Sequence, residues 1–422
     1  MSPRRLRIAG DGRLDAVPLL DEPRLARVLR LLDGDGEETR IVGGAVRNAL
    51  LGLPPGDIDL ATTATPEVVL ARAKSAKVRA IPTGIDHGTV TLVSGGLPVE
   101  VTTLREDVET DGRHAVVKFG RDFARDAERR DFTVNALSVG RDGRLHDTTG
   151  GTDDLAAGRL RFIGDAATRI REDYLRILRF FRFHATYGLG PLDPDGLAAA
   201  VAGAAGLERL SRERVRAETM KLLGAPGAAG VLDTLAGTGI LDRVLAGPAD
   251  PGRFARLAAA GVADPVLGLM GLAVRDAADV ERLRDALRLS NAERDRMLAA
   301  LAVLDPAAAA PDAAAVAALL FAHGAPATRD ALVLARSRAG VQDAGGDEAG
   351  GDEAGWDAAL RAAAETPVPE MPFTGRDLLA RGLKGPAVGE TLARFRAAYA
   401  AAGFPPDPAR RLALLDASLP GP

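Results

Sequence analysis

One change of texture limits what this chain can fold into. Up to about residue 150 it alternates short strand-like runs with helix-like stretches, and beyond Arg161 the strand signals fade. The runs are TRIVGG (39–44), DIDLAT (57–62), KVRAIP (77–82), GTVTLVSG (88–95) and LPVEVTTL (97–104), punctuated by glycine and proline. Between them RNALLGL and PEVVLARAK read as helices, the second with Thr65 as N-cap and Pro66 in the first turn. That alternation predicts an α/β head domain. The remainder carries apolar residues at helical spacing in DYLRILRFFRF, SRERVRAETMKLL, VERLRDALRL, NAERDRMLAALAVL and GETLARFRAAYAA.

At 422 residues the chain exceeds what one hydrophobic core organises. We expect a lead-in helix or arm over 1–36, the head over 37–150, a helical neck over 151–225 and a helical body over 226–340. A flexible Gly/Asp/Glu-rich loop follows over 341–355, where AGGDE repeats at once, and then a helical tail over 356–422. Cysteine is absent, which excludes disulfides and thiolate metal sites and fits a reducing cytoplasm. No apolar run reaches the roughly 18 residues of a membrane span, and MSPRRLRIAGDGRL lacks a secretory apolar core. With a net charge of −4, any nucleic acid must be held by local basic surface.

Residues 56–62 read GDIDLAT, an apolar run carrying two aspartates one residue apart. In a strand, positions i and i+2 share a face, so the Asp57 and Asp59 carboxylates lie side by side. Like charges so placed call for a cation between them. Paired carboxylates on one strand face commonly hold Mg²⁺ ions about 3.5–4 Å apart for in-line nucleotidyl transfer. Glu100 alternates with Val99 and Val101, so it faces away from them and is the candidate third acid. In IVGGAVRNALLG (41–52), Gly43 and Gly44 end a strand and open a helix, with free backbone N–H groups and Arg47 one turn in. Such a turn suits a triphosphate. Each feature has a plainer reading: a polar strand end, the solvent face of an edge strand, an ordinary strand-to-helix turn. Their adjacency favours the chemical one.

ERRDFTVNAL (128–137), if helical, puts Asp131 and Asn135 at i and i+4 with Arg130 adjacent. A carboxylate and an amide together accept from and donate to ribose hydroxyls; the plainer reading is a solvated helix face. REDYLRILRFFRF (171–183) brings Asp173 and Arg176 to i, i+3 spacing. Asp173 can accept from the exocyclic amine that cytosine and adenine share, while Arg176 donates to the adjacent ring nitrogen. Guanine and uracil present the reverse pattern, and the groups left unpaired can discriminate by ~10⁴ or more. An ordinary helix salt bridge is the plainer reading. Arg179 and Arg182 continue the stripe toward phosphates, while Leu175, Ile177, Leu178, Phe180 and Phe181 are assigned to the core.

Taken in order, GGAVRN…GDIDLAT, RRDFTVNAL, DTTGGTDDL…GRLRFIG, REDYLRILRFFRF and LSRERVRAETMKLL resemble the motifs of the class II tRNA nucleotidyltransferases. That family comprises the bacterial and eukaryotic CCA-adding enzymes and the bacterial poly(A) polymerases. The likeness covers residues 39–224, and a weaker one, FTGRDLLARGLKGPAVGETL, lies at 373–392. The resemblance implies an α/β nucleotidyltransferase head followed by an all-helical neck, body and tail, with the tRNA acceptor end and upper arm along one side and RNA contact by the tail. It implies Asp57 and Asp59 as ligands of two Mg²⁺ ions with Glu100 as third acid, and Gly43, Gly44 and Arg47 on the triphosphate. Arg130, Asp131 and Asn135 would face the ribose, and Asp173 and Arg176 would act as a protein template for the base. Glu172, Arg179, Arg182 and Arg214 would support the template, with Glu218 beside Arg214 on its helix. Asp147 and Asp154 would join head to neck, and Asp107–His114 would be a mobile loop assisting the switch from C to A addition.

Two departures stand out: Asn48 occupies a position where the family usually has aspartate, and DTTGG replaces the commoner D-P-x-G-G. Neither removes a metal ligand. His323 is the only histidine after His184, so no His-Asp phosphohydrolase domain is expected. The implied activity is template-independent addition of CCA to tRNA 3′ ends from CTP and ATP by two-metal transfer, releasing pyrophosphate. The implied setting is the cytoplasm, with neither DNA nor membrane as partner. A poly(A) polymerase, or an A-only or C-only enzyme of the family, is the nearest alternative, because the Asp/Arg pair accepts both bases. An inactive RNA-binding relative and a small-molecule nucleotidyltransferase are the others; the intact DxD and EDxxR oppose the first, the long helical body the second. Arginines on body and tail would read RNA phosphates and shape, giving strongly salt-dependent binding. Three tyrosines and one tryptophan leave few base-stacking platforms. Oligomeric state is not written in these motifs.

Overall fold

A computed structural model describes residues 4–15, 18–85, 88–110, 115–303, 309–339 and 353–420. The chain divides into two compact units, Met1–Thr234 and Leu235–Pro422. The division falls inside the helix Ala228–Gly237 rather than at residue 225. Residues 111–114 of the expected mobile loop and 341–352 of the expected acidic loop lie outside the described residues. Glu353–Gly355, assigned to that acidic loop, instead begin the helix Glu353–Glu365. Among the described residues, no helix is long and apolar enough to cross a membrane.

The first unit contains β1 (Thr39–Val42), β2 (Asp59–Thr62), β3 (Arg79–Gly84), β4 (Thr89–Ser94), β5 (Leu97–Thr103), β6 (Arg105–Thr110), β7 (Ala115–Phe119), β8 (Ser138–Gly140) and β9 (Leu145–His146). Seven of them form one mixed sheet in the order β3-β4-β5-β2-β1-β8-β9, and β6 pairs with β7 in a separate ribbon. The five expected strand runs are β1–β5. The ribbon falls partly in the stretch assigned to a loop, and β8 and β9 are too short to show alternation. The lead-in residues include α1 (Pro18–Asp21) and α2 (Pro23–Leu32) and also reach the sheet edge through a bridge between Arg13 and Arg144.

Alternation along the strands decides which face carries chemistry. Val90, Leu92, Val99 and Val101 are buried on the face covered by α2 and α4 (Pro66–Ser75), which contribute Leu25, Val28, Leu29, Val69 and Ala73. Burying each such Val, Leu or Ile side chain is worth about 1.5–3 kcal/mol, which fixes the register. The opposite face leaves Asp59 and Glu100 exposed. α3 (Gly44–Leu51) follows β1, and α5 (Phe123–Glu128) follows the ribbon.

The neck consists of α6 (Gly151–Ala157), α7 (Ala166–Glu172), α8 (Leu175–Tyr187), α9 (Pro194–Gly203) and α10 (Arg212–Leu223). Leu175, Ile177, Leu178, Phe180 and Phe181 are buried, as expected from their spacing. Phe132 joins their core from the head side, its ring 4.8 Å from Phe162 and 5.5 Å from Phe183.

Two stretches read as single helices are not. α5 ends at Glu128, Asp131 lies in the connection, and Thr133–Asn135 form one 3-10 turn. Phe132 between them is extended, at φ −123° and ψ 147°, and bridges to Phe162, so aromatic burial overrides helical propensity. The second break is at Asp173 (φ −153°, ψ 106°), between α7 and α8. Its carboxylate accepts from the Leu175 N–H at 3.0 Å, a local bond that competes with helix continuation. The adjacent Tyr174 ring lies flat on Gly206, where a Cβ would come within 2.0 Å of it.

The second unit is helical. Val316, Leu320, Leu332, Trp356, Ala359 and Ala363 form one core, and Phe321, Leu378, Phe395, Tyr399 and Leu415 another. Burial of Trp356 and Tyr399 removes both from any base-stacking role.

Candidate active site

The acidic edge comes first. β2 and β5 run parallel with Asp59 directly opposite Glu100, and Asp57 precedes the strand on the same side. All three carboxylates are exposed, and none forms an ion pair among the described residues. Burial of its base holds the Asp59 carboxyl above the usual range; Arg130 opposes this and the Asp57 charge adds to it. Glu100 is raised by burial, then by Asp59 and Asp57. Carboxylates gathered this closely favour a cation between them, and a metal ion would supply one. Among the described residues no three His, Asp or Glu side chains are already gathered around an ion-sized space. Asp57 and Asp59 are the carboxylates that could hold Mg²⁺, which keeps several waters and commonly takes one or two carboxylates plus substrate phosphates.

The double-glycine turn stands beside this edge. Gly43 adopts φ 71° and ψ −130°, a backbone that strains any L side chain. A Cβ on Gly43 would lie 3.1 Å from Arg130 Nη1, and one on Gly44 would lie 3.5 Å from Arg47 Nη2. The missing side chains thus admit two guanidinium groups against the turn. Arg130 is held by the buried Asp126, through Nε at 3.3 Å and Nη2 at 3.2 Å, and it is the arginine whose field reaches Asp59.

Arg47, expected as a charge reaching a triphosphate, is instead 5% exposed and spends its donors on the protein. Nη1 donates to Asn135 Oδ1, Nε and Nη2 donate to Asn48 Oδ1 at 3.2 and 2.9 Å, and Nη2 also meets the Tyr187 hydroxyl at 2.8 Å. The Tyr187 ring lies 4.0 Å from the guanidinium carbon. Every acceptor is neutral.

Asp131 and Asn135 are brought together without the expected helix: Asn135 Nδ2 donates to Asp131 Oδ1 at 3.0 Å. Asp131 also accepts from the Phe132 N–H at 2.9 Å and from Arg179 at 2.8 and 2.5 Å. Burial works to raise the Asp131 carboxyl, but Arg179, Asn135 and that N–H outweigh it and hold it below the usual range. A chain Arg47–Asn135–Asp131–Arg179 therefore runs from α3 to α8, and Arg182 continues it to Glu218 of α10 at 2.5 Å. Arg179 and Arg182 are engaged with carboxylates, not directed at phosphates as expected.

Asp173 and Arg176 do not pair with each other. Asp173 Oδ2 accepts from Arg214 Nη2 at 2.7 Å, while Arg176 Nη1 pairs with Glu172 and reaches the Arg169 carbonyl at 2.9 Å. The break in the helix separates the two and gives each its own partner. Asp147 accepts from the N–H groups of residues 149–152 at 2.8–3.1 Å. Among the described residues no hydrogen bond uses Thr148, so its place in the position of proline costs none. Asp154, fully buried, joins Thr133 Oγ1 at 2.7 Å to Arg159 and Arg161 at 2.7 and 2.8 Å, linking head to neck. Sequence reasoning missed Asp126, whose signal was its i+3 and i+4 spacing to Arg129 and Arg130. It also missed Tyr187, which has no local signal.

Residues 39–161 match the poly A polymerase head domain, and residues 191–249 match a domain described as a probable RNA and SrmB-binding site of polymerase A. The fold, the acidic edge and the two matched domains are similar to those of tRNA nucleotidyltransferases and poly A polymerases. Among these, similarity runs to CCA-adding proteins. The mitochondrial CCA tRNA nucleotidyltransferase 1 of Danio rerio is 41% identical over 264 residues, 61% of this chain and 61% of that protein. The CCA-adding enzyme of Geobacillus stearothermophilus is 41% identical over 235 residues, 55% of this chain and 57% of that protein. The chain thus spans about three fifths of these curated relatives. Among solved structures, the Bacillus stearothermophilus CCA-adding enzyme in complex with CTP superposes with a TM-score of 0.71 at 29% identity, covering 94% of this chain and 97% of that one. The Thermotoga maritima CCA-adding enzyme complexed with tRNA-CCA shares the fold at a TM-score of 0.66 and 19% identity, covering 95% and 98%.

Proposed function

We propose that this chain is a template-independent RNA nucleotidyltransferase that adds CCA to tRNA 3′ ends from CTP and ATP, releasing pyrophosphate. The observation that carries this reading is the unpaired Asp57–Asp59–Glu100 edge lying beside the Gly43–Gly44 turn. Support for the substrates comes from relatives named as CCA tRNA nucleotidyltransferases and from one described with CTP.

Asp57 and Asp59 would hold two Mg²⁺ ions, with Glu100 completing the acidic edge. Bound there, the ions would lower the pKa of the tRNA 3′-hydroxyl and neutralise the departing pyrophosphate. The turn offers the first N–H groups of α3 to the triphosphate, and Arg130 brings the nearest guanidinium. Asp131 and Asn135 present a rigid, fully bonded edge to the ribose. Asp173 accepts from the amine of cytosine or adenine and Arg176 donates to the ring nitrogen, each exchanging part of its bond to Arg214 or Glu172. Arg179, Arg182 and Arg214 act as positioning residues behind this template. The cytoplasm is the compartment we favour, on the cysteine-free composition.

A second reading, a poly(A) polymerase, is favoured by the description of the matched head domain. Sizing products at single-nucleotide resolution on a tRNA transcript lacking its last three nucleotides separates the two. Two additions with CTP, and a third only with ATP, are expected. A long A-ladder with ATP alone would overturn CCA addition in favour of the polymerase.

A further inference from the structure

We propose that Tyr187 is a positioning residue for the Gly43–Gly44 turn, and that the N-terminal arm, residues 4–15, is the strap that holds Tyr187 in place. The inference rests on the function proposed above for what the turn binds, a nucleoside triphosphate, and names how the neck sets that turn.

Tyr187 stands where the neck meets the turn. α8 carries Arg176 in its first turn and Tyr187 in its last, about 16 Å apart at 1.5 Å per residue. The Tyr187 hydroxyl accepts from Arg47 Nη2 at 2.8 Å and donates to Asn48 Oδ1 at 3.2 Å. Its ring lies 4.0 Å from the Arg47 guanidinium carbon and stacks on Phe183. Burial pulls Arg47 below its ordinary range, and Tyr187 is foremost among the groups that oppose this. Arg47 Nη2 is also the atom that a Cβ on Gly44 would approach to 3.5 Å, so the hydroxyl's hold on it reaches the turn itself. About two turns earlier on α8, Arg179 reaches the same arginine through Asp131 and Asn135. One tie leaves a helix free to pivot, and two fix its direction. The base-reading end of α8 and the triphosphate turn are thereby held at one spacing.

The arm keeps the end of α8 there. Residues 8–15 are fastened to the head: Ile8 bridges Leu14, the Leu14 N–H donates to Gly143 O and the Leu145 N–H to Gly12 O. The leading residues instead serve three helix C-termini, whose last carbonyls lack partners within the helix. The Arg7 N–H donates to Leu50 O of α3 at 3.0 Å and the Arg4 N–H to Ala156 O of α6 at 2.7 Å. Arg4 Nη1 donates to Tyr187 O of α8 at 2.6 Å. Gly52, left-handed at the end of α3, leaves room for the Arg7 guanidinium, since a Cβ there would meet its Nε at 2.9 Å. Guanidinium groups so placed also offset the partial negative charge of a helix C-terminus. One short segment thus caps a head helix and two neck helices, gripping Tyr187 by its carbonyl while the hydroxyl grips the turn.

The test is steady-state kinetics, with equilibrium binding of CTP in the absence of tRNA, on full-length variants. Tyr187→Phe keeps the ring and removes only the hydroxyl. Arg4→Ala removes the grip on the carbonyl and keeps the backbone bond to Ala156. Tyr187→Phe is expected to raise KM and Kd for CTP about fivefold, with kcat within about twofold of the wild type. Arg4→Ala should raise both about threefold, and the double variant should be no worse than Tyr187→Phe alone, because Arg4 acts through the tyrosine. Arg4→Lys, which keeps a donor, should stay near the wild type. Wild-type KM and Kd in both single variants, whatever their melting temperatures, would overturn the positioning role and leave CCA addition standing. Fully additive losses in the double variant would overturn the strap. The same shifts in KM for ATP, in a protein whose only product is an A-ladder, would overturn CCA addition and keep the positioning role.

Discussion

The acidic edge of the head and the broken helix of the neck handle charge in opposite ways. At the edge, Asp57, Asp59 and Glu100 are exposed, close, and unpaired. At the break, Asp173 is paired with Arg214, Arg176 with Glu172, and Arg179 with Asp131. The first arrangement stores repulsion that an arriving cation relieves. The second stores hydrogen bonds that an arriving base edge can exchange with little change in total. Unpaired charge marks where something is to be bound tightly; fully paired charge marks where something is to be read.

The largest effect should come from removing the repulsion. Asp59→Asn is expected to cut CTP incorporation on the order of 10³-fold or more, because it takes away a ligand of the proposed ions. The fold should not suffer. Asp59 and Glu100 titrate above the usual carboxylate range, so the folded chain binds protons more tightly there than the unfolded chain does. Their destabilisation is full above the folded pKa and gone below the unfolded one, so stability should rise as pH falls through the raised values. Asp131 has the opposite sign: held low, it contributes stability above its unfolded pKa that is lost as pH falls through its folded value. Melting curves from neutral to acidic pH should therefore lose their upward part in Asp59→Asn and their downward part in Asp131→Asn. Matching pH profiles in both variants and the wild type would break the contrast between the two regions.

Asp131→Asn should also cost about 3 kcal/mol at neutral pH, since it leaves Arg179 in a mostly buried setting with only the longer pair to Glu218 at 4.0 Å. Chemical denaturation measures this directly. At the break itself, Asp173→Ala is expected to lower discrimination of CTP and ATP against GTP and UTP by about 10²-fold. Arg214→Ala should lower it by only about tenfold, because the Leu175 N–H still orients the Asp173 carboxylate. Competition assays with paired nucleotides give both ratios. Equal losses would mean that Arg214 itself meets the base.

The edge was legible in the sequence and the break was not. GDIDLAT and LPVEVTTL alternate with period two, so their facing residues follow from pattern alone, and the register of Asp59 with Glu100 adds only which strands are neighbours. REDYLRILRF has no residue that forbids a helix, and its break joins a local cause, the Asp173 carboxylate accepting from the Leu175 N–H, to a remote one, the Tyr174 ring packed on Gly206. The same holds for Phe132, pulled straight by the neck core, and for Arg47, whose partner Tyr187 comes from another domain segment. Local spacing reports which residues can be neighbours, and tertiary burial decides which of them are.

The finest test concerns Asn48. Its Oδ1 accepts from Arg47, and its Nδ2 donates to the Pro54 carbonyl at 2.9 Å, a bond no carboxylate at that position can make. The amide therefore does two things: it leaves the Arg47 charge without an ionic partner behind the double-glycine turn, and it ties down the loop that leads to Asp57. Asn48→Asp would reverse both, pairing Arg47 with a carboxylate and setting an oxygen against the Pro54 carbonyl. Pairing favours the fold, whereas neutralising Arg47 and loosening the loop disfavour a bound triphosphate. The expected result is a small one, an unchanged or higher melting temperature together with a KM for CTP raised about threefold and kcat little altered. An unchanged KM would assign Arg47 wholly to the structural chain that ends at Glu218, and the cation at the turn would then be Arg130 alone.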